Sequence, residues 1–388
     1  MLFRSFNTYL AGKDGLKVQQ RLTGGAWIDV DNLETVHARP GHDIVTTIDL
    51  DLQDAAENAL YKQLMRHKAH HGCAVVMEVK TGDIKAIANL EIGSDGLYHE
   101  TYNYAVGEST EPGSTFKLMS MMVALEDGVV DLHDSINTGD GTVRYYDKVI
   151  RDHEEKGLGK ITARDVFEHS SNVGTAKIIN ENYKDNPRRF VDRLYSMQIN
   201  KPLGLQIKGE GKPVIRAPGD KLWSGISLPM MSHGYEVQMT PLQILTFYNA
   251  VANGGKMVKP RFVTEVRDGN RTVKSFDTEV ITNSIASRST IRKAQSLLEG
   301  VVENGTAKNL KNNNYKIAGK TGTAQIANLK HGYRSGARIS YQASFVGYFP
   351  ADDPLYSCIV VVNAPSNWVY YGNVRSEEHT SELQSPNT

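Results

Sequence analysis

Ser114-Thr115-Phe116-Lys117-Leu118-Met119-Ser120-Met121-Met122-Val123-Ala124-Leu125-Glu126-Asp127 is apolar on nearly every side, and Gly128 follows it. A helix that is hydrophobic all round is buried inside a fold, and a glycine past its last turn is the usual stop. The stretch therefore predicts a central helix with Ser114 and Lys117 near its start. Spaced i and i+3, these two side chains share one helix face. A serine hydroxyl is a weak nucleophile until a neighbouring base takes its proton, and a lysine serves once burial lowers its pKa. Helix N-terminal amides also favour the negative charge that develops in acyl transfer.

Taken alone, Ser-x-x-Lys is a weak signal and more often the trace of a capping serine and a snorkelling lysine. Two further clusters add weight. Ser170-Ser171-Asn172 falls between two helical segments, where side chains leave helical register and point into a cleft, although a polar helix terminus leaves the same pattern. Lys320-Thr321-Gly322-Thr323 interrupts an apolar strand that runs from Ile317 to Gln325. Glycine weakens a strand unless another backbone must approach it, and the flanking lysine and threonines suit the docking of an extended peptide with a terminal carboxylate. A second Lys-Thr-Gly, Lys80 to Gly82, precedes the serine helix and reads as a hairpin turn, so it is assigned structure only.

Around these motifs, Asp49 caps a helix through Leu52, Ala56, Leu60 and Leu64 that is expected to stop near Gly72. Cys73 to Glu78 and Ile84 to Asn89 read as paired strands. Thr162 with Asp165 opens a helix ending near Ser170, and Thr240-Pro241 opens another that Gly254-Gly255 stops. Three strand patterns close the chain: Ile317 to Gln325, Tyr341 to Phe349 and Tyr356 to Ala364. Strands at both ends with helices between them imply an α+β domain in which first and last strands share one sheet.

The chain has 388 residues, 40% hydrophobic, with 44 basic and 44 acidic side chains. That length and composition support a real core, and the balanced charge gives no footprint for nucleic acid. Cys73 and Cys358 sit in apolar runs and read as buried free thiols. No apolar run reaches the ~18 residues of a membrane span, and the start lacks a signal-peptide layout. His67, His70 and His71 have metal-like spacing, but at a helix end they read as dipole partners. Gly209 to Pro213 lacks the spacing of a phosphate loop.

Ser-x-x-Lys, Ser-x-Asn and Lys-Thr-Gly in this order mark penicillin-binding proteins and serine β-lactamases. Glu111-Pro112-Gly113-Ser114-Thr115-Phe116-Lys117, Ser232-His233-Gly234-Tyr235 and Ala318-Gly319-Lys320-Thr321-Gly322-Thr323-Ala324 resemble class B penicillin-binding proteins, particularly the division-type transpeptidases. The resemblance implies a transpeptidase fold like that of serine β-lactamases: a mainly antiparallel five-stranded sheet flanked by helices, with a helical subdomain. It implies a peptidoglycan D,D-transpeptidase in which Ser114 attacks the carbonyl between the terminal D-alanines of a stem peptide. Lys117 would take the serine proton, Ser170 would relay a proton to the departing D-alanine, and Asn172 would orient Lys117. Lys320, Thr321 and Thr323, with Gly322 between them, would hold the substrate carboxylate. The amides of Ser114 and Thr323 would form an oxyanion hole, such donors being worth about 3 to 4 kcal/mol each. An amine of a second stem peptide would resolve the acyl-enzyme, β-lactams would inhibit covalently, and neither metal nor cofactor is implied.

The resemblance also implies an inner-membrane protein with its catalytic domain in the periplasm, working with a glycosyltransferase and division proteins. It places a remnant of a non-catalytic N-terminal domain at residues 1–45, the transpeptidase domain at 46–374 and a non-native tail at 375–388. That tail, Arg375 to Thr388, resembles the translation of a sequencing-adapter oligonucleotide. The anchor, the N-terminal pedestal and a C-terminal helix on the sheet are family features expected to be missing, and the lost helix is expected to lower stability by uncovering apolar strands. Two other outcomes share these motifs: a carboxypeptidase or β-lactamase resolved by water, and a penicillin sensor that acylates once. The first needs a deacylating carboxylate and the second a signalling segment, and neither has a convincing motif here.

Overall fold

In the computed structural model, which describes residues 2–30, 36–154, 156–326 and 340–364, the Asp49 side chain accepts the Leu52 amide at 3.1 Å and opens α1 (Leu50–His67). Such a cap satisfies an amide that the helix start leaves unpaired. Ala56, Ala59, Leu60 and Leu64 line the buried face. The helix ends earlier than expected because Lys68 turns left-handed (φ 47) and the chain enters β1 (His71–Glu78) at once. Gly82, at φ +80, lets the chain reverse into β2 (Ile84–Ile92). The second Lys-Thr-Gly thus serves a turn. His71 lies in the strand, pairs with Glu108 at 3.0 Å and stacks on Tyr104 at 3.9 Å. Among the described residues no group of three or more His, Cys, Asp or Glu could hold a metal ion.

After β3 (Tyr98–His99), the helical region contains α2 (Lys117–Glu126), α3 (Ala163–Glu168), α4 (Asn172–Tyr183), α5 (Pro241–Ala252) and α6 (Arg288–Glu303). All residues of α2 from Lys117 to Leu125 are buried, as its all-round apolar sequence requires. Capping boxes at Thr162/Asp165 and Thr240/Gln243 start α3 and α5 where the sequence places them.

The chain then returns through β4 (Ala318–Ile326), β5 (Ser340–Phe349) and β6 (Tyr356–Asn363). The sheet runs β4-β5-β6-β1-β2-β3, every pair antiparallel. Five strands are long, as expected, and the two-residue β3 adds a sixth. First and last strands meet where β6 pairs with β1. These two central strands are buried along almost their whole length, which explains their continuous rather than alternating apolar pattern. Helices α1, α5 and α6 pack on the sheet. Cys73 and Cys358 are free and buried, and burial pushes both thiols up, which keeps them unreactive.

Residues ahead of the expected boundary at 45 pack on this body. Asp43–Thr46 pairs with Val263–Asp268, and the buried Phe6 meets Phe276 edge-on at 6.0 Å. No helix among the described residues is long and apolar enough to cross a membrane. The segment expected to lack a C-terminal helix, with the tail from Arg375, lies outside the described residues.

Candidate active site

The turn that carries Ser114 departs from the expected α-helix. Gly113–Phe116 is a tighter 3-10 turn, and α2 begins only at Lys117. Gly113 takes φ +55 and its amide bonds the Gly234 carbonyl at 3.1 Å, while the Thr115 hydroxyl donates back to the Pro112 carbonyl at 2.9 Å. At three residues per turn, positions i and i+3 eclipse, so the turn stacks Ser114 over Lys117. Ser114 opens on a cavity of about 650 Å³ between the edge strand β4 and the helical region.

Gly322 has a different cause from the one expected. A Cβ there would lie 2.3 Å from Ser344 Oγ and 2.8 Å from Thr115 Cγ2, and a Cβ on Gly113 would lie 2.6 Å from the Thr323 carbonyl oxygen. The glycines let the Ser114 turn press against β4, so the close approach is internal. As an edge strand, β4 still turns alternate N–H and C=O groups outward, where an extended peptide adds a strand.

Lys117 is fully buried, and its Nζ donates to the Ser170 carbonyl at 2.5 Å, the Ser170 hydroxyl at 3.1 Å and Asn172 Oδ1 at 2.7 Å. Burial lowers its pKa to about 7, against an opposing pull from the Asp152 carboxylate. Asn172 is oriented by its own donation to the Arg151 carbonyl at 2.9 Å, which turns Oδ1 toward the lysine. Ser170 sits left-handed at φ 57 between α3 and α4, a conformation that costs about 1 to 2 kcal/mol in a non-glycine residue. The strain aims both its carbonyl and hydroxyl at Nζ.

Asp152 holds that junction, and no motif marks it in the sequence. Its carboxylate accepts the Ser171 hydroxyl at 2.8 Å and the Val173 amide at 2.9 Å, while Ser171 caps Gly174 at the start of α4. Replacing Asp152 by Asn removes both a charge-assisted hydrogen bond and the charge that keeps Lys117 from falling further. The expected result is a roughly tenfold slower acylation whose pH profile shifts to lower pH. Stopped-flow acylation across pH 5 to 9 checks it, and an unmoved profile would contradict the electrostatic part.

The Lys-Thr-Gly-Thr residues divide. Thr321, Gly322 and Thr323 line the cavity, and the Thr306 and Thr321 hydroxyls bond at 2.6 Å. Strand alternation sends Lys320 the other way. It is wholly buried behind the wall, with Nζ donating to the Thr321 carbonyl at 3.1 Å and lying 5.8 Å over the Phe167 ring. Burial and the Lys117 charge push its pKa well down. The fold thus gathers Ser114, Ser170, Asn172, Thr321, Gly322 and Thr323 on one cavity, buries Lys117 beneath Ser170 and Asn172, and places Lys320 behind the wall.

Residues 72–383 match the penicillin binding protein transpeptidase domain, and the match ends inside the tail set apart above. The chain belongs to this family. It is 28% identical over 388 residues to the probable peptidoglycan D,D-transpeptidase PbpC of Pseudomonas aeruginosa, covering 98% of this chain and 64% of that protein. To the peptidoglycan D,D-transpeptidase FtsI of Escherichia coli it is 28% identical over 382 residues, covering 96% of this chain and 60% of the relative. The chain therefore spans less than two thirds of the length of these curated relatives. Penicillin binding protein 3 of Mycobacterium tuberculosis, solved in complex with aztreonam, superposes with a TM-score of 0.74 at 27% identity, covering 87% of this chain and 75% of that one. Such penicillin-binding transpeptidase domains share the antiparallel sheet and helical region described above.

Proposed function

We propose that this chain carries the D,D-transpeptidase activity of a peptidoglycan-synthesising penicillin-binding protein. The observation that carries the proposal is the three-way hold on Lys117 Nζ by Ser170 and Asn172, one turn below Ser114. Neutral Lys117 takes the Ser114 proton as Oγ attacks the penultimate D-alanine carbonyl, and the C–N bond then breaks. The proton reaches the leaving D-alanine nitrogen through the Ser170 hydroxyl, which lies 3.1 Å from Nζ. Thr321 and Thr323 receive the terminal carboxylate, the edge of β4 pairs with the peptide backbone, and Lys320 stands behind the strand. The amides of Ser114 and Thr323 hold the oxyanion. A β-lactam enters the same cavity and stops at the acyl-enzyme.

In the cell we place this domain in the periplasm on an inner-membrane protein that works beside a glycosyltransferase and division proteins. This assignment rests on kinship with FtsI-type relatives. Incubation with a fluorescent penicillin followed by mass spectrometry tests the enzymatic reading. A stable adduct on Ser114 is the expected result. Rapid turnover of the penicillin would replace transpeptidation by hydrolysis as the function.

A further inference from the structure

His233 stands among the polar residues that line the cavity holding Ser114. The segment around it is clamped on both sides of the reacting region. The Gly234 carbonyl accepts the Gly113 amide at 3.1 Å beside the nucleophile, and the Tyr235 hydroxyl accepts the Gln325 amide of β4 at 3.4 Å. The fit at Gly234 is tight, since a Cβ there would lie 2.0 Å from the Gly113 oxygen.

The His233 ring is anchored at one end. Its Nδ1 lies 2.9 Å from the Pro229 carbonyl and 3.4 Å from Ser232 Oγ. A carbonyl only accepts, so Nδ1 carries the proton and Nε2 keeps its lone pair. Among the described residues the ring's hydrogen bonds use Nδ1 alone, and His233, though 4% exposed, lines the cavity, which leaves Nε2 as the nitrogen available to a bound group. Burial, helped by the Lys117 charge, pushes the imidazole down to about 3, which keeps it neutral at working pH.

The second half of the transfer has use for such an acceptor. An attacking primary amine carries two N–H bonds. Its lone pair forms the new C–N bond, the ester bond to Ser114 Oγ breaks, and one amine proton passes through Lys117 to that oxygen. The other N–H stays in the product amide. Inside a cavity that a bulky amine has cleared of water, this N–H loses about 1 to 3 kcal/mol if it finds no acceptor, whereas an attacking water keeps its neighbours.

We infer that His233 forms the subsite for the acceptor amine, its Nε2 taking a hydrogen bond from the N–H that the amine retains. This rests on the transpeptidase reading above. The test uses the full chain, an N-acylated D-alanyl thioester as donor and D-alanine as acceptor, with amide and hydrolysis products counted by mass spectrometry. Their ratio counts only molecules that have acylated, so partial misfolding of a variant does not move it. His233→Phe, which keeps a ring but no lone pair, is expected to lower the amide-to-hydrolysis ratio at least tenfold. His233→Gln, whose Oε1 can reach the place of Nε2, is expected to recover most of that loss. An unchanged ratio in His233→Phe, or a Gln variant no better than Phe, would overturn the subsite. In both of those cases a penicillin adduct on Ser114 would leave the transpeptidase reading standing, whereas a wild-type chain with no adduct would overturn both.

Discussion

Replacing Ser114 by alanine is expected to abolish covalent labelling by a fluorescent penicillin while leaving the thermal unfolding midpoint nearly unchanged. On the proposed reading the hydroxyl is the atom that forms the acyl bond, which leaves the variant no slower route to the same adduct. Among the described hydrogen bonds none uses Ser114 Oγ, and the residue is only partly buried on the cavity wall, so its loss opens no core defect. Mass spectrometry after prolonged incubation, with a melting curve on the same sample, reads both halves. A surviving adduct would move the nucleophile to Ser170, the other hydroxyl beside Lys117 Nζ at 3.1 Å.

Lys117→Met should slow acylation by about 10² to 10⁴, the range a positioned general base supplies, and should also erase a limb of the pH profile. The amine acts as base only when neutral, and its pKa lies at about 7. The wild-type rate should therefore climb with pH up to about 7 and level off above it, standing roughly tenfold below the plateau at pH 6. Stopped-flow acylation of both chains from pH 5 to 9 measures this. A wild-type profile without that limb, or a Met variant of normal rate, would remove Lys117 from the role of base. Arginine is no substitute, because a guanidinium stays charged throughout.

Much of this site is written locally in the chain. Ser114 and Lys117 share a helix start, Ser170 and Asn172 flank a helix junction, and Thr321 to Thr323 break an apolar strand with polar and small residues. Each leaves a short-range pattern, and the capped helices and end strands that carry them follow from periodicity. Asp152 and Thr306 leave none, because topology rather than spacing brings them to the cavity, and His233 lies in a quoted stretch that gives no sign of where its ring points. An aspartate in a charged loop gives no sign that it accepts a helix amide some 21 residues on. Gly322 was legible as a place of close approach, but the approaching partner, the Gly113–Phe116 turn, depends on how β4 meets that turn in the fold. The placement of Lys320 behind the wall follows from strand alternation once β4 has its register. The helix ending at His67 rather than near Gly72 was hidden because Lys68, a poor left-handed residue by type, takes the terminal position.

The dry setting of Lys117 also governs how the fold responds to alkali. The unfolded chain offers this amine its ordinary pKa of 10.5, whereas the native state holds it at about 7. Between those values the unfolded chain binds one proton more, so native stability rises with pH across that window. The penalty is complete below about pH 7, shrinks steadily above it and is gone once pH passes 10.5. At pH 7.5 it amounts to on the order of 4 kcal/mol. That is a large part of the ~5 to 15 kcal/mol by which a native domain outlasts its unfolded chain. Lys320, buried beside the same charge, pulls in the same direction. Lys117, the proposed base, is thus among the heaviest single loads on the fold, and mildly alkaline buffer is the condition in which the protein should keep longest.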